Sequence, residues 1–124
     1  MTRRNAQLPN LIASAARTTD HVGAWVTNPG YDQAHFLVNV TAAAGSTASF
    51  RVSIEGRVPG STKSYDLLVG AAITGAGVTA LKVGPGMAAS TGASAQDLLP
   101  GIFRVTSTHA GAQSLTYEVG AYLG

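Results

Sequence analysis

The residues of this chain that could do chemistry are three histidines, six carboxylates and one glycine-rich segment. Imidazoles hold metal ions and paired carboxylates move protons, but both need partners at a workable spacing. His21 follows Asp20 directly, and His35 comes three residues after Asp32. On an extended strand that spacing sends two side chains to opposite faces, so solvated loop residues are the simpler reading. His109 opens a small-residue connection, His109-Ala110-Gly111-Ala112, and no His-x-His or His-x-x-x-His pair occurs. Glu55 and Glu118 fall on the polar rows of alternating segments, where a cross-strand partner such as Arg51 or Arg104 accounts for them. Gly75-Ala76-Gly77-Val78-Thr79-Ala80 fits the form of a dinucleotide-binding loop. That chemistry needs a following helix to receive the pyrophosphate, and Pro85 cuts such a helix short. A hairpin between strands accounts for the glycines instead. The serines lack a Gly-x-Ser-x-Gly elbow, and without cysteine there is no thiolate nucleophile, thiolate zinc site or disulfide. Asn39-Val40-Thr41 matches a glycosylation sequon, which carries no weight without a secretion signal. No catalytic apparatus, metal or cofactor is expected.

The elements that would position these residues are strands. Phe50-Arg51-Val52-Ser53-Ile54-Glu55 alternates apolar and polar residues, the signature of a half-buried strand. Leu115–Leu123 and Phe103–Thr106 repeat the pattern. Phe36, Val38 and Val40 form a fourth apolar row, with Leu37 on the opposite face. Asn10–Arg17, Ser64–Thr74 and Val78–Val83 are less regular strand candidates, which makes about seven to eight strands in all. Pro-Gly steps at 29–30, 59–60, 85–86 and 100–101 suit type II turns. Ala43–Ser46 and His109–Ala112 read as hairpin loops. The stretch 87–98, Ala/Ser-rich and interrupted by Gly92, reads as a loop rather than a helix. The expected fold is all-β, an antiparallel β-sandwich or jelly-roll-like barrel. Its core should hold Phe36, Val38, Val40, Phe50, Val52, Ile54, Phe103, Val105, Leu115, Tyr117 and Val119.

Composition narrows the function. Ala, Gly, Ser and Thr supply 59 of the 124 residues, and only 11% of the chain is charged, against about 25% in an ordinary soluble domain. The 45% apolar content argues against disorder. A surface so poor in charge is expected to be covered in part by a partner. The net charge of +2 provides no basic face for nucleic acid, and no run of residues is apolar enough to span a membrane. Asn10 and Pro9 interrupt any signal-peptide core, so the chain is expected to stay in the cytoplasm where it is made.

Five residues stand out as possible contact points. Residues 1–10 read as a flexible arm ahead of a single domain, 11–124. The arm carries Arg3 and Arg4 for pairing with carboxylates and Leu8 as an apolar anchor for a neighbour's groove. Pro9 keeps the arm extended and out of the sheet interior. Trp25 and Tyr31 sit on the long connection around Asn28-Pro29-Gly30, as interface anchors or as aromatics folded back over the sandwich edge.

Six segments, in this order, carry a resemblance. They are Leu11–Thr18, Val38–Ala42, Phe50–Gly56, Val83–Gly86, Leu99–Val105 and Leu115–Ala121. Together they resemble a family of small virion structural proteins of tailed bacteriophages, several of them head decoration (cement) proteins. The resemblance implies a non-enzymatic protein on the capsid surface, bound to the major capsid protein. A homotrimer at the local three-fold positions is the first choice. A tail, neck or head-to-tail adaptor protein is the alternative. A carbohydrate-binding module stacking sugars on Trp25 and Tyr31 is more remote.

Overall fold

The computed structural model describes residues 6–44, 48–111 and 113–124. Among them are ten strands: β1 (Ala6–Arg17), β2 (His21–Val22), β3 (Val26–Thr27), β4 (Ala34–Ala43), β5 (Ser49–Arg57), β6 (Ser64–Val69), β7 (Gly77–Val83), β8 (Ser94–Ala95), β9 (Ile102–Ala110) and β10 (Leu115–Leu123). One sheet runs β1-β10-β4-β7-β8, the other β2-β9-β5-β6 with β3 also paired to β9. The two sheets pack face to face as a β-sandwich. Three of the ten strands are only two residues long. With β2 and β3 taken as one interrupted strand and β8 as an edge addition, the neighbour order is that of a jelly roll.

Period-two alternation builds the core. All eleven expected core residues are buried, joined by Ile12, Leu68, Leu81, Val83, Leu99, Leu123 and several alanines. Phe36 of one sheet meets Phe103 of the other edge to face, with centroids 5.7 Å apart. That pair fixes the spacing of the two layers.

Several connections differ from the expectation. The expected hairpins at 43–46 and 109–112 do not form, because β4 and β10 lie in one sheet while β5 and β9 lie in the other; residues 45–47 and 112 themselves lie outside the described residues. The Gly75–Gly77 segment likewise leads from β6 across to β7 rather than closing a hairpin, and no helix follows it. Short Ala/Gly-rich links serve an arch between sheets as well as a hairpin within one, so composition alone does not separate the two. Among the described residues, β5–β6 is the hairpin, and its turn carries Gly60 at φ 73° as a type II turn requires. Gly30 is also at positive φ, whereas Gly86 and Gly101 are not, so the Pro-Gly steps at 85–86 and 100–101 are not type II turns. One pairing is parallel, β7 with β8.

Of the expected arm, residues 1–5 lie outside the described residues and residues 6–10 belong to β1. Ala6, Gln7 and Leu8 pair with Leu123, Tyr122 and Ala121, and β1 is an edge strand, where Pro9 costs no ladder bond. The register of β1 shifts after Leu8 and Asn10 takes φ 58°, so Pro9-Asn10 bulges from the sheet.

Candidate functional site

The densest cluster of chemically capable side chains lies at the end of the sandwich where β1 runs on to β2 and β9 to β10. Strand alternation turns Ser107, His109 and Tyr117 inward there. The Tyr117 hydroxyl lies 2.6 Å from Ser107 Oγ and 2.7 Å from His109 Nε2. Phe50 stacks on the Tyr117 ring at 4.1 Å and on the His109 ring at 5.6 Å. The Arg17 guanidinium sits 5.2 Å from the Tyr117 ring centroid and donates to the Ala13 and Tyr117 carbonyls. Asp20 accepts the backbone N–H of His109 at 2.7 Å. Nδ1 of His109 is buried without a partner. An orphaned N–H costs more than an orphaned lone pair, which assigns the proton to Nε2. His109 then donates to the Tyr117 oxygen, and Tyr117 donates to Ser107. Burial lowers the His109 pKa from 6.5, outweighing the Asp20 carboxylate that raises it, and the Arg17 charge lowers it further. Burial pushes Tyr117 up, so its hydroxyl stays protonated. Tyr117 and Ser107 are closed off from solvent. The three side chains thus satisfy one another and tie β9 of one sheet to β10 of the other.

Sequence reasoning placed His109 in a loop and assigned it nothing. The available signal was period two, because Ser107 and His109 continue the inward row of Phe103 and Val105.

The expected contact residues scatter. Arg3 and Arg4 lie outside the described residues. Leu8 packs half-buried against the core of its own chain. Tyr31 packs there too, with its carbonyl accepting from the Asn28 side chain at 2.7 Å. Trp25 is half-buried, and the Arg104 guanidinium lies 4.3 Å from its ring centroid. Arg104 Nε also pairs with Glu55 at 2.7 Å, the cross-strand ion pair the alternation suggests, while Glu118 accepts from Asn39 instead. Both aromatics are thus folded back onto the sandwich.

The exposed aromatics are Tyr65 and Tyr122, which the sequence did not single out. Tyr65, 41% exposed, starts β6 and lies across Gly56 at the opposite end of the sandwich from His109. A Cβ on Gly56 would sit 2.5 Å from the ring, so the glycine makes room for it. Beside it Val58, Pro59, Leu98, Pro100 and Ile102 line an apolar groove of about 590 Å³, and Leu98 is 64% exposed. This groove is the candidate interface.

Among the described residues, no group of three or more His, Asp or Glu side chains could hold a metal ion, and no helix is long and apolar enough to cross a membrane. No protein-family model, curated protein or solved structure matches this chain.

Proposed function

We propose that this chain is a structural component of a tailed-bacteriophage virion, a head decoration (cement) protein that binds over the major capsid protein lattice and stabilises the shell. The observation that carries the reading is the apolar groove of Val58, Tyr65, Leu98 and Ile102 at one end of a jelly roll with few charges. Large exposed apolar side chains gathered at one site mark a surface that a partner covers. Double-sheet jelly rolls recur in viral capsid and lectin domains, an analogy at the level of fold that agrees with the sequence resemblance. The chain is made in the bacterial cytoplasm and ends on the capsid surface as a homotrimer. Many weak contacts repeated over a lattice hold it there by avidity. Quantitative mass spectrometry of purified virions tests the proposal. Hundreds of copies per particle support decoration. About a dozen would make it a neck or tail protein, and none would remove it from the virion. Light scattering on the isolated protein checks the trimer.

A further inference from the structure

The outward rows of the β1-β10-β4-β7 sheet form a trough. Across the strands the register sets Gln7, Tyr122, His35 and Lys82 in one row and Glu118, Asn39 and Val78 in another. The row between them is Gly120, Leu37 and Ala80, with two of its three side chains small or missing. Gln7 and Tyr122 on one side and Glu118, Asn39 and Val78 on the other therefore flank a floor that Gly120 lowers beside Leu37. The Pro9-Asn10 bulge of β1 closes one end, and a Cβ on Gly120 would lie 3.2 Å from the Leu8 carbonyl oxygen. The trough is open to solvent along its top and holds about 370 Å³, at the small end of ligand sites, which span roughly 300–1,000 Å³.

The lining combines two chemistries. Tyr122, 46% exposed, offers an aromatic face at one side, with Leu37 and Val78 adding apolar surface. On the other side Asn39 Nδ2 donates to Glu118 Oε1 at 3.0 Å. That bond fixes both planar groups and leaves Glu118 Oε2 and Asn39 Oδ1 as oriented acceptors. Gln7 and Asn10 add amides at the rim. A ligand that fits needs hydroxyl donors on one edge and a flat C–H face for the tyrosine. A neutral polyhydroxyl compound meets both needs, its hydroxyls donating to the carboxylate.

We propose that this trough binds a neutral hexopyranose unit of a surface glycan, with its ring against Tyr122 and its hydroxyls on Glu118 and Asn39. The proposal moves sugar recognition away from Trp25 and Tyr31, whose rings pack onto the sandwich. It does not depend on where in a virion the chain resides.

The test uses an array of neutral hexose and N-acetylhexosamine oligosaccharides, followed by amide chemical-shift mapping with the best-retained disaccharide. Binding should shift Leu37, Asn39, Glu118, Gly120 and Tyr122 and leave Val58, Tyr65 and Leu98 unmoved. Tyr122→Ala should weaken binding at least tenfold and Glu118→Gln severalfold, while Thr62→Ala on the exposed β5–β6 turn changes nothing. Array silence of the wild-type chain overturns the proposal. Shifts centred on the Tyr65 groove, or binding that survives Tyr122→Ala, overturn it as well. The mapping reads the wild-type protein, so it holds even if a variant misfolds.

Discussion

The two ends of the sandwich are built on opposite terms. At the His109 end, polar side chains turn inward and satisfy one another: Ser107, Tyr117 and His109 share hydrogen bonds, and Asp20 ties the β1–β2 link to β9. At the Tyr65 end, apolar side chains turn outward and have nothing over them. A buried hydroxyl must find a partner within the chain or cost about 1–3 kcal/mol, whereas an exposed leucine can wait for one from outside. The end richer in reactive groups is therefore the structural one. The end with exposed apolar side chains is the candidate for contact.

The largest effect should come from emptying the polar end. Tyr117→Ala removes a fully buried ring stacked on Phe50 and should cost roughly 3–5 kcal/mol in urea unfolding. Tyr117→Phe keeps the ring but strands the Ser107 hydroxyl and the His109 N–H, for a cost of about 1–3 kcal/mol. If the phenylalanine variant were as stable as the parent, the network would be incidental and the contrast between the ends would fail.

This contrast was only half visible in the sequence. Alternation marks a residue as inward, and it did so correctly for Tyr117 and Phe50 because period two survives any arrangement of strands. It does not say which strands face each other. The meeting of His109 with Tyr117 depends on β9 and β10 lying in different sheets, and the link between them reads equally well as a hairpin. Tyr65 was hidden for a related reason. The register shift in the β5–β6 hairpin sets it across Gly56, and nothing local to Ser64-Tyr65-Asp66 announces the bulge. The strong local signals, Trp25 and Tyr31, marked residues that fold back on the chain.

At the apolar end the expected signature is reversed, with stability kept and association lost. Leu98 is largely exposed, so Leu98→Asp should change unfolding by less than about 0.5 kcal/mol. Its binding to purified shells should weaken at least tenfold, about 1.4 kcal/mol. Unchanged shell binding would show that this groove is not the contact.

A pH series separates the ends without touching the apolar one. Burial holds the His109 pKa below its ordinary 6.5, with Arg17 acting the same way and Asp20 against it. The unfolded chain therefore takes up the proton more readily than the folded one. Stability from this group is present in full above pH 6.5 and is lost as pH falls from there through the folded value. The urea midpoint should drop between about pH 7.5 and about pH 5.5, and His109→Gln should flatten part of that slope. An equal slope in parent and variant would mean that another group drives it.

The smallest effect is expected on the outer face of β5 and β9 toward the Tyr65 end, where Arg104 lies over Trp25 and pairs with Glu55. Both charged side chains are partly screened from solvent but neither is buried. An ion pair of this kind contributes about 0.2–1 kcal/mol, and a guanidinium over an indole about 0.5–1 kcal/mol. The two interactions share one arginine, so they couple: removing Glu55 frees the guanidinium to leave the ring. Trp25→Ala and Glu55→Gln should therefore each cost less than about 1 kcal/mol, and the double variant less than their sum. The Glu55 contribution should shrink as salt is raised, while the packing part of the Trp25 contribution should persist. A double-mutant cycle in low and high salt measures both. A loss above about 2 kcal/mol for Trp25→Ala would exceed what a ring packed under one guanidinium contributes. It would mean that Trp25 packs against more of β9 than the Arg104 side chain.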